Sequence, residues 1–352
     1  MAFFRRSKPL LGLDIGSSSV KAAELKKAGS GYELASLGIE ALGPDTVVDG
    51  AIMDSNAVSF AVNSIVEGNK IKTKHVATAV AGHSVIVKRV AIPASSEAEL
   101  AGSISLEAQQ HIPFEIDDVN LSYQIMGVGP TGNDMDVMLV AVKREKISNH
   151  TRVLTQSGMT PRVVDIDAFA LQNVFEVNYD PPPESTIALL NIGASLMNIN
   201  IVQAGVPLFT RDVSVGGNQY TDMLQKELDL TFDDAEALKR GKELEGVSLD
   251  TVKSHIESVT ELLVLEVRKT FDFFRATTSA EQIQQIYVAG GTARVEGMLE
   301  SLREEFDTPV EELNPFQRIG YNPSRFDPTY ISEVAPRMAI AVGLALRSFD
   351  AP

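Results

Sequence analysis

LLGLDIGSSSVK (Leu10–Lys21) and ALLNIGASLMN (Ala188–Asn198) read as one element written twice. Each is an apolar strand, an Asp- or Asn-Ile-Gly step, a turn of small residues and a second strand. Asp14 aligns with Asn191, Gly16 with Gly193, Ser17 with Ala194 and Ser18 with Ser195, half a chain apart. That period predicts two related lobes, each presenting a glycine-bearing hairpin. Gly and Ser are common in hairpins, so one copy alone would read as an ordinary turn. Two copies facing across a cleft can hold a polyphosphate from both sides. Glycine lets backbone N–H groups approach an anion, and successive turn amides form an anion-binding concavity. Ser17, Ser18 and Ser19 add hydroxyl donors. Asp14, at the strand end, can orient a hydrated Mg2+, which prefers few carboxylates, several waters and phosphate oxygens.

The length of 352 residues suits two domains, and 44% hydrophobic residues make a folded globular chain. The balance of 31 basic and 47 acidic side chains, a net charge of −16, disfavours binding of nucleic acid or anionic lipid over the whole surface. There is no cysteine, so disulfides and thiolate chemistry are excluded. The five histidines are scattered without metal-ligand spacing, which argues against a zinc enzyme. No apolar run approaches the roughly 18 residues of a spanning helix. The start, MAFFRRSKPLLGLDIG, lacks the order of a signal peptide, which predicts a cytoplasmic chain. Phe3–Arg6 reads as a frayed terminus, with contact to a membrane surface as the alternative.

Periodicity organises the rest. Strands are expected near 10–15, 19–26, 32–41 and 75–82, with a helix bearing Val58, Val62, Ile65 and Val66. Residues 85–157 then read as strand, helix, two strands and helix, which looks like an inserted subdomain. A strand (162–166) and a helix (168–177) return to the first lobe, and Pro181–Glu184 forms a stiff junction. The second lobe repeats the plan with strands near 186–192, 196–203 and 207–215. Helices follow at 218–228 and 248–277, then a strand ending in Gly290-Gly291, a helix at 292–304 and a last helix at 334–347. The organisation expected is lobe 1 over 1–82 and 163–180, the insert over 83–162, and lobe 2 over 181–352 with its last helix packing back on lobe 1.

Two further glycine pairs sit at strand-to-helix junctions. At Gly290-Gly291 the glycines permit close approach, and Thr292 is placed to cap the following helix. Gly216-Gly217 opens the 218–228 helix, and Glu236 and Lys239 beyond it can hold a ribose or base, or else sit on a solvated face. The GVGPTG stretch at 127–132 leads into a strand instead of a helix and contains Pro130, so it is a hairpin loop and no dinucleotide fingerprint. Asp165 and Asp167 lie where a strand gives way to a helix. Alternation sends both to one face, where one can orient an attacking or metal-bound water, or one can be an N-cap.

Together these pieces resemble the actin-like ATPase superfamily, which includes actin, sugar kinases, heat-shock chaperones and FtsA. The resemblance implies an α/β, actin-like (ribonuclease H-like) duplicated two-lobe fold. Asp14, Gly16, Ser17, Ser18, Ser19 and Lys21 would form phosphate-1, and Gly193, Ala194 and Ser195 phosphate-2. Gly216, Gly217, Glu236, Lys239, Gly290, Gly291 and Thr292 would hold adenosine, and Asp14 and Asn191 would meet Mg2+ through water. LLGLDIGSSSVK, EAQQHIPFEIDDVNLSYQ and VDIDAFAL are more closely similar to the PilM family of type IV pilus assembly. That likeness makes the insert an FtsA-like 1C subdomain. It implies an ATP-binding, cytoplasmic scaffold, peripheral at the inner membrane, that clasps the N-terminal tail of PilN between subdomains 1A and 1C. Gln110, His111, Ile112, Pro113 and Phe114 are the implied wall of that groove, their other reading being a structural corner. Further pilus proteins, motor components or a second copy would dock on the same scaffold.

Asn191 stands where many relatives carry Asp, and an amide is no base and a weak metal partner. At most a slow ATPase is implied, with Asp165 and Asp167 as candidate catalytic residues. Two other classes share the fold, a small-molecule kinase and a filament-forming cytoskeletal or division protein.

Overall fold

The computed structural model describes residues 9–94, 96–129, 132, 134–278 and 282–347. Phe3–Arg6, the final residues 348–352, and Pro130 and Thr131 of the 127–132 loop lie outside the described residues.

Both apolar hairpins become the centres of sheets. In the first lobe β1 (Leu11–Ile15), β2 (Ser19–Ala28) and β3 (Gly31–Ala41) run antiparallel. A short hairpin, β4 (Val47–Val48) and β5 (Ala51–Ile52), leads to α1 (Ser55–Gly68) and β6 (His75–Val80). Asp54 caps α1 by accepting from the Asn56 and Ala57 amides, and the buried stripe is Val58, Ala61, Val62, Ile65 and Val66.

The insert follows as β7 (Val85–Pro93), α2 (Glu97–Ala108), β8 (Val119–Val128) and β9 (Asp134–Lys143), a three-stranded antiparallel sheet in the order β7-β9-β8. Next come α3 (Arg144–Gln156), β10 (Thr160–Ile166) and α4 (Asp167–Asn178). β10 and β6 complete the first sheet in the order β10-β6-β1-β2-β3. Helix α3, grouped with the insert on sequence grounds, packs Val153 and Leu154 into the first-lobe core beside Val58 and Val62.

The second lobe repeats the layout. β11 (Thr186–Ile192), β12 (Met197–Gln203) and β13 (Val206–Val213) run antiparallel. They are followed by α5 (Asn218–Leu228), α6 (Phe232–Lys239) and α7 (Leu249–Thr277). Then come β14 (Gln285–Ala289), α8 (Met298–Phe306), β15 (Val310–Glu312), α9 (Pro328–Val334) and α10 (Ala339–Ala345). The sheet order is β13-β12-β11-β14-β15. The long stripe of α7, from Val252 through Phe274, is buried on this sheet.

Two helices expected as continuous are divided. Residues 291–294 form a single 3-10 turn and α8 begins only at Met298, with Gly297 at positive φ before it. The expected 334–347 helix is a 3-10 turn over Ala335–Met338 followed by α10. Pro336 has no backbone N–H to donate, which accounts for the tighter start.

The lobes meet through α4 and α10. A methyl group on Gly343 would collide with the Ala170 carbonyl, and one on Gly12 with the Ala341 carbonyl. The contact is therefore backbone against backbone. Replacing Gly343 by Ala is expected to cost about 2 kcal/mol or more through overpacking. Gly102→Ala on α2, where nothing lies within 4 Å of the new methyl, should instead stabilise by about 0.5–1 kcal/mol through helix propensity. Denaturant melts of the two variants check this, and a Gly343→Ala protein as stable as the parent would contradict the close crossing.

Candidate functional site: an interlobe cleft and an adjoining groove

The register of β1 and β2 sets Asp14 opposite Lys21, and their side chains pair at 2.9 Å. The register of β11 and β12 sets Asn191 opposite Asn198 in the corresponding place. Asn191 Nδ2 donates to Asn198 Oδ1 at 2.8 Å, so the ion pair of one lobe is a neutral amide pair in the other. The chain of bonds goes on: Asn198 Nδ2 donates to Asp212 Oδ1 at 2.8 Å, and the Gly82 amide donates to Asp212 Oδ2 at 2.6 Å. Gly82 lies between β6 and the insert, so Asp212 ties lobe 2 to the root of the insert.

The turns close on themselves, Gly16 N–H to the Ser19 carbonyl and Gly193 N–H to the Leu196 carbonyl. Ser17 and Ser195 hydrogen bond hydroxyl to hydroxyl across the cleft. The amides of Ser17, Ser18, Ala194 and Ser195 take no backbone acceptor among the described residues. Two facing turns with free amides and hydroxyls fit a polyphosphate. Ser19 departs from expectation: strand alternation turns it inward, it is fully buried, and its hydroxyl has no partner. It closes the turn from beneath and does not face the cleft. Among the described residues no three His, Asp or Glu side chains converge as a metal site.

The expected adenosine residues are brought together, with changed parts. The amides of Gly217 and Asn218, opening α5, donate to the Gly193 and Ala194 carbonyls at 2.9 and 2.8 Å. The helix start thus supports phosphate-2 and is not free for an anion. Gly216 must be glycine here, since a methyl group would stand 2.5 Å from the Gly193 carbonyl oxygen. Thr292 caps no helix. Because 291–294 is a 3-10 turn, its hydroxyl donates to the Gly193 carbonyl at 3.0 Å instead. Lys239 donates to the Gly217 carbonyl at 3.2 Å and to Thr221 Oγ1 at 2.9 Å, and it pairs with Glu236. Arg240 pairs with the other Glu236 oxygen at 3.2 Å. Arg337 packs its stem on Gly291. Burial, then repulsion from Arg240, lowers the pKa of its guanidinium. Arg240 and Arg337 carry no motif; only the fold puts them near one another.

Asp165 and Asp167 part company. β10 ends at Ile166 and alternation stops there. Asp165 is buried, accepts from the Ile166 amide and pairs with Arg347 Nε at 3.1 Å, so it fastens the chain after α10 and is not in the cleft. Asp167 is the first residue of α4, not its cap. Burial, with Asp14 and Asp212 nearby, holds its carboxyl well above the usual range, against the opposing pull of Lys21 and Lys146. Burial also raises Asp212, against its bonds from Asn198 and Gly82. Sequence reasoning missed Asp212 and Lys146. Asp212 was accessible as the cross-strand neighbour of Asn198, whereas nothing local marks Lys146.

A groove adjoins the cleft. One face of the insert sheet, with Val85, Val87 and Val140, stands over Val164, Phe169 and Ile147, all half-buried. A cavity of about 230 Å³ there is lined by His83, Val87, Ile166, Asp167, Thr210 and Asp212 among others. Groove and cleft therefore share Asp167 and Asp212. The Gln110–Phe114 segment lies elsewhere. Ile112 is buried and Phe114 packed in the insert's own core, on the opposite sheet face, with Lys143 Nζ 4.6 Å from the Phe114 ring centre. Gln110 and Pro113 are exposed and His111 half-buried at this corner.

A carboxyl whose folded pKa lies above its unfolded value binds its proton more tightly in the folded state. Such a group makes no penalty below the unfolded pKa, about 4, and a growing one as pH rises toward the folded pKa. Asp167→Asn is therefore expected to raise Tm by roughly 2 °C or more at neutral pH, with the difference shrinking toward pH 4. Thermal melts across pH decide it, and a gain that is flat with pH would remove the electrostatic cause.

Residues 12–349 match the model of the family described as type IV pilus assembly protein PilM. The chain is also similar to a solved structure described as a PilM–PilN type IV pilus biogenesis complex. Identity is 25%, coverage is 99% of this chain and 100% of that one, and the TM-score is 0.86. The ethanolamine utilization protein EutJ from Carboxydothermus hydrogenoformans shares the fold, at 16% identity, a TM-score of 0.58 and coverage of 97% of this chain and 92% of that one. With the duplicated hairpins on facing lobes, these matches make the fold actin-like, and the chain belongs to the PilM family of type IV pilus assembly proteins.

Proposed function

We propose that this protein is a nucleotide-binding scaffold of the pilus assembly complex at the inner membrane. In this reading it holds ATP between its lobes and the N-terminal cytoplasmic tail of a PilN partner in the groove under the insert. The observation that carries the reading is the apolar groove of Val85, Val87, Val140, Val164 and Phe169, which opens onto the cleft carboxylates, in a chain matched end to end by a PilM–PilN complex. An extended peptide with alternating apolar side chains suits such a groove.

In the cleft, the free amides of Ser17, Ser18, Ala194 and Ser195, with Gly16, Gly193 and Lys21, are the phosphate-binding groups. Asp14, and the Asn191 oxygen left over from its bond to Asn198, are the groups that meet waters on Mg2+. Gly216, Gly217, Glu236, Lys239, Gly290 and Gly291 line the adenosine end, joined by Arg240 and Arg337. The nucleotide supplies charge and a bridge between lobes. Fast hydrolysis is not expected, because Asn191 cannot act as a base and Asp167 is a poor one while burial favours its protonated form.

The test is isothermal titration of the purified protein with a synthetic peptide of the cognate PilN tail, with and without MgATP. A Kd in the micromolar range or below is expected, about −8 kcal/mol. Val87→Asp, which puts a charge into the groove, should weaken it by tenfold or more, roughly the cost of burying an unpaired polar group. Leu106→Asp on the exposed side of α2 should leave it unchanged. Absence of peptide binding in either nucleotide state would overturn the partner assignment.

A further inference from the structure

Helix α3 starts where the chain leaves the insert and returns to lobe 1, and Lys146 lies in its first turn. A helix N-terminus disfavours a cation, and this one is also buried, 9% exposed. Its ammonium has three protons to place. The structure gives it one long contact, 3.5 Å to the Asp49 carbonyl oxygen, and no direct ion pair among the described residues. The groups that face it are Asp167, Asp212 and Asp49, near enough to act through their fields. His150, one turn along α3, donates from Nδ1 to the Lys146 carbonyl at 3.1 Å, and burial and Lys146 push its pKa down to about 4. A buried ammonium with so incomplete a shell has lost hydration without regaining it from the protein. That is the condition of a group built to meet an anion.

Its surroundings say which anion. A methyl group on Gly50, which has φ +71, would stand 2.7 Å from Lys146 Nζ and 3.4 Å from Leu196 Cδ1. Leu196 belongs to the phosphate-2 turn, whose Gly193 carbonyl supports the adenosine end on its other side. Asp167 neighbours Asp14 of phosphate-1, and Asp212 is bonded to Asn198 behind phosphate-2. Lys146 therefore stands beside the phosphate-2 turn and within the field of Asp167, which in turn feels Asp14 of phosphate-1.

We propose that Lys146 is the contact for the terminal phosphate of a nucleoside triphosphate, by which the protein distinguishes ATP from ADP and transmits the difference to the insert through α3. The inference rests on the nucleotide reading above and assigns it a residue and a direction. Lys21 is paired with Asp14, whereas Lys146 is uncommitted. A terminal phosphate would complete its shell with a charge-assisted bond, and drawing the ammonium shifts the first turn of α3, to which the insert strand β9 is directly joined.

Titration calorimetry with ATP and with ADP, each with Mg2+, on the parent, Lys146→Gln and Lys146→Met tests this. The parent is expected to prefer ATP. Both variants should lose about tenfold or more in ATP affinity and keep ADP affinity within about twofold, and retained ADP binding also certifies folding. Equal losses for both nucleotides, or none, would overturn the inference and leave Lys146 as a counter-charge for the acidic chamber. If the parent binds neither nucleotide, the nucleotide reading itself fails, a distinguishable result. Hydrogen exchange on the parent needs no variant: amides of residues 142–150 should slow with ATP beyond the level with ADP, and identical exchange would overturn the proposed transmission.

Discussion

The close crossing of α4 and α10 is the constraint on which the rest depends. Gly343 against the Ala170 carbonyl, and Gly12 against Ala341, leave no room for side chains between the backbones. The core around this crossing draws Ala23 and Leu25 from one sheet, Ile187, Leu189 and Val202 from the other, and Leu171, Val174 and Phe175 from α4. The two lobes thus share a core cluster at their junction, besides the core that each has of its own. Asn200 of β12 reinforces it, donating to the Ala168 carbonyl. Packed interiors resist continuous deformation, so a change in the angle between the lobes would turn about this crossing. The hairpins stand at the ends of β1 and β11, and such a turn would change the distance between them.

Against that frame of equal lobes the charges are unequal. Lobe 1 keeps its carboxylate on the central strand, where Asp14 is neutralised by Lys21. Lobe 2 has amides there and carries its carboxylate on the edge strand, as Asp212, gripping Gly82. The displacement has two effects. The phosphate-2 side presents neutral donors and acceptors, which oppose an incoming phosphate less than a carboxylate would. The negative charge is moved beside the insert, where Asp167 and Asp212 line one cavity and Asp212 adds to the burial that makes Asp167 harder to ionise.

Much of this was legible in the chain and the remainder was not, for identifiable reasons. The duplicated hairpin and the two lobes followed from a repeat that any strand-turn-strand period exposes. Asp14 opposite Lys21 follows from the short turn between β1 and β2. Ser19 was misassigned because three consecutive serines look alike until strand parity is known. Thr292 was misassigned because a 3-10 turn and an α-helix begin with the same residues. Asp165 and Asp167 looked equivalent because strand alternation was extended past Ile166, where the strand ends and α4 begins. Lys146, Asp212, Arg240 and Arg337 come from four separate elements, and only tertiary packing puts them around one cleft. The groove face of β7 alternates with a core face, so Val85 and Val87 differ from Ile86 only once the sheet's two sides are known.

The groove and the cleft are therefore not two sites at a distance that need a pathway between them. Asp167 and Asp212 line the groove, and the same two carboxylates lie in the field of Asp14 and behind the phosphate-2 hairpin. A phosphate with its cation entering the cleft would change the field at Asp167 and Asp212, and a peptide covering the groove would remove their remaining water. Each event would alter the free energy of the other through the same two groups, and linkage would make the effect reciprocal, typically about 1–3 kcal/mol where such coupling exists. Its sign follows from the charges. A cation in the cleft favours the ionised carboxylates, whereas an apolar peptide over them favours the neutral forms. On electrostatics alone the two ligands would oppose each other. Any cooperation between them would have to come from the rotation about α4 and α10, the other physical link the fold provides.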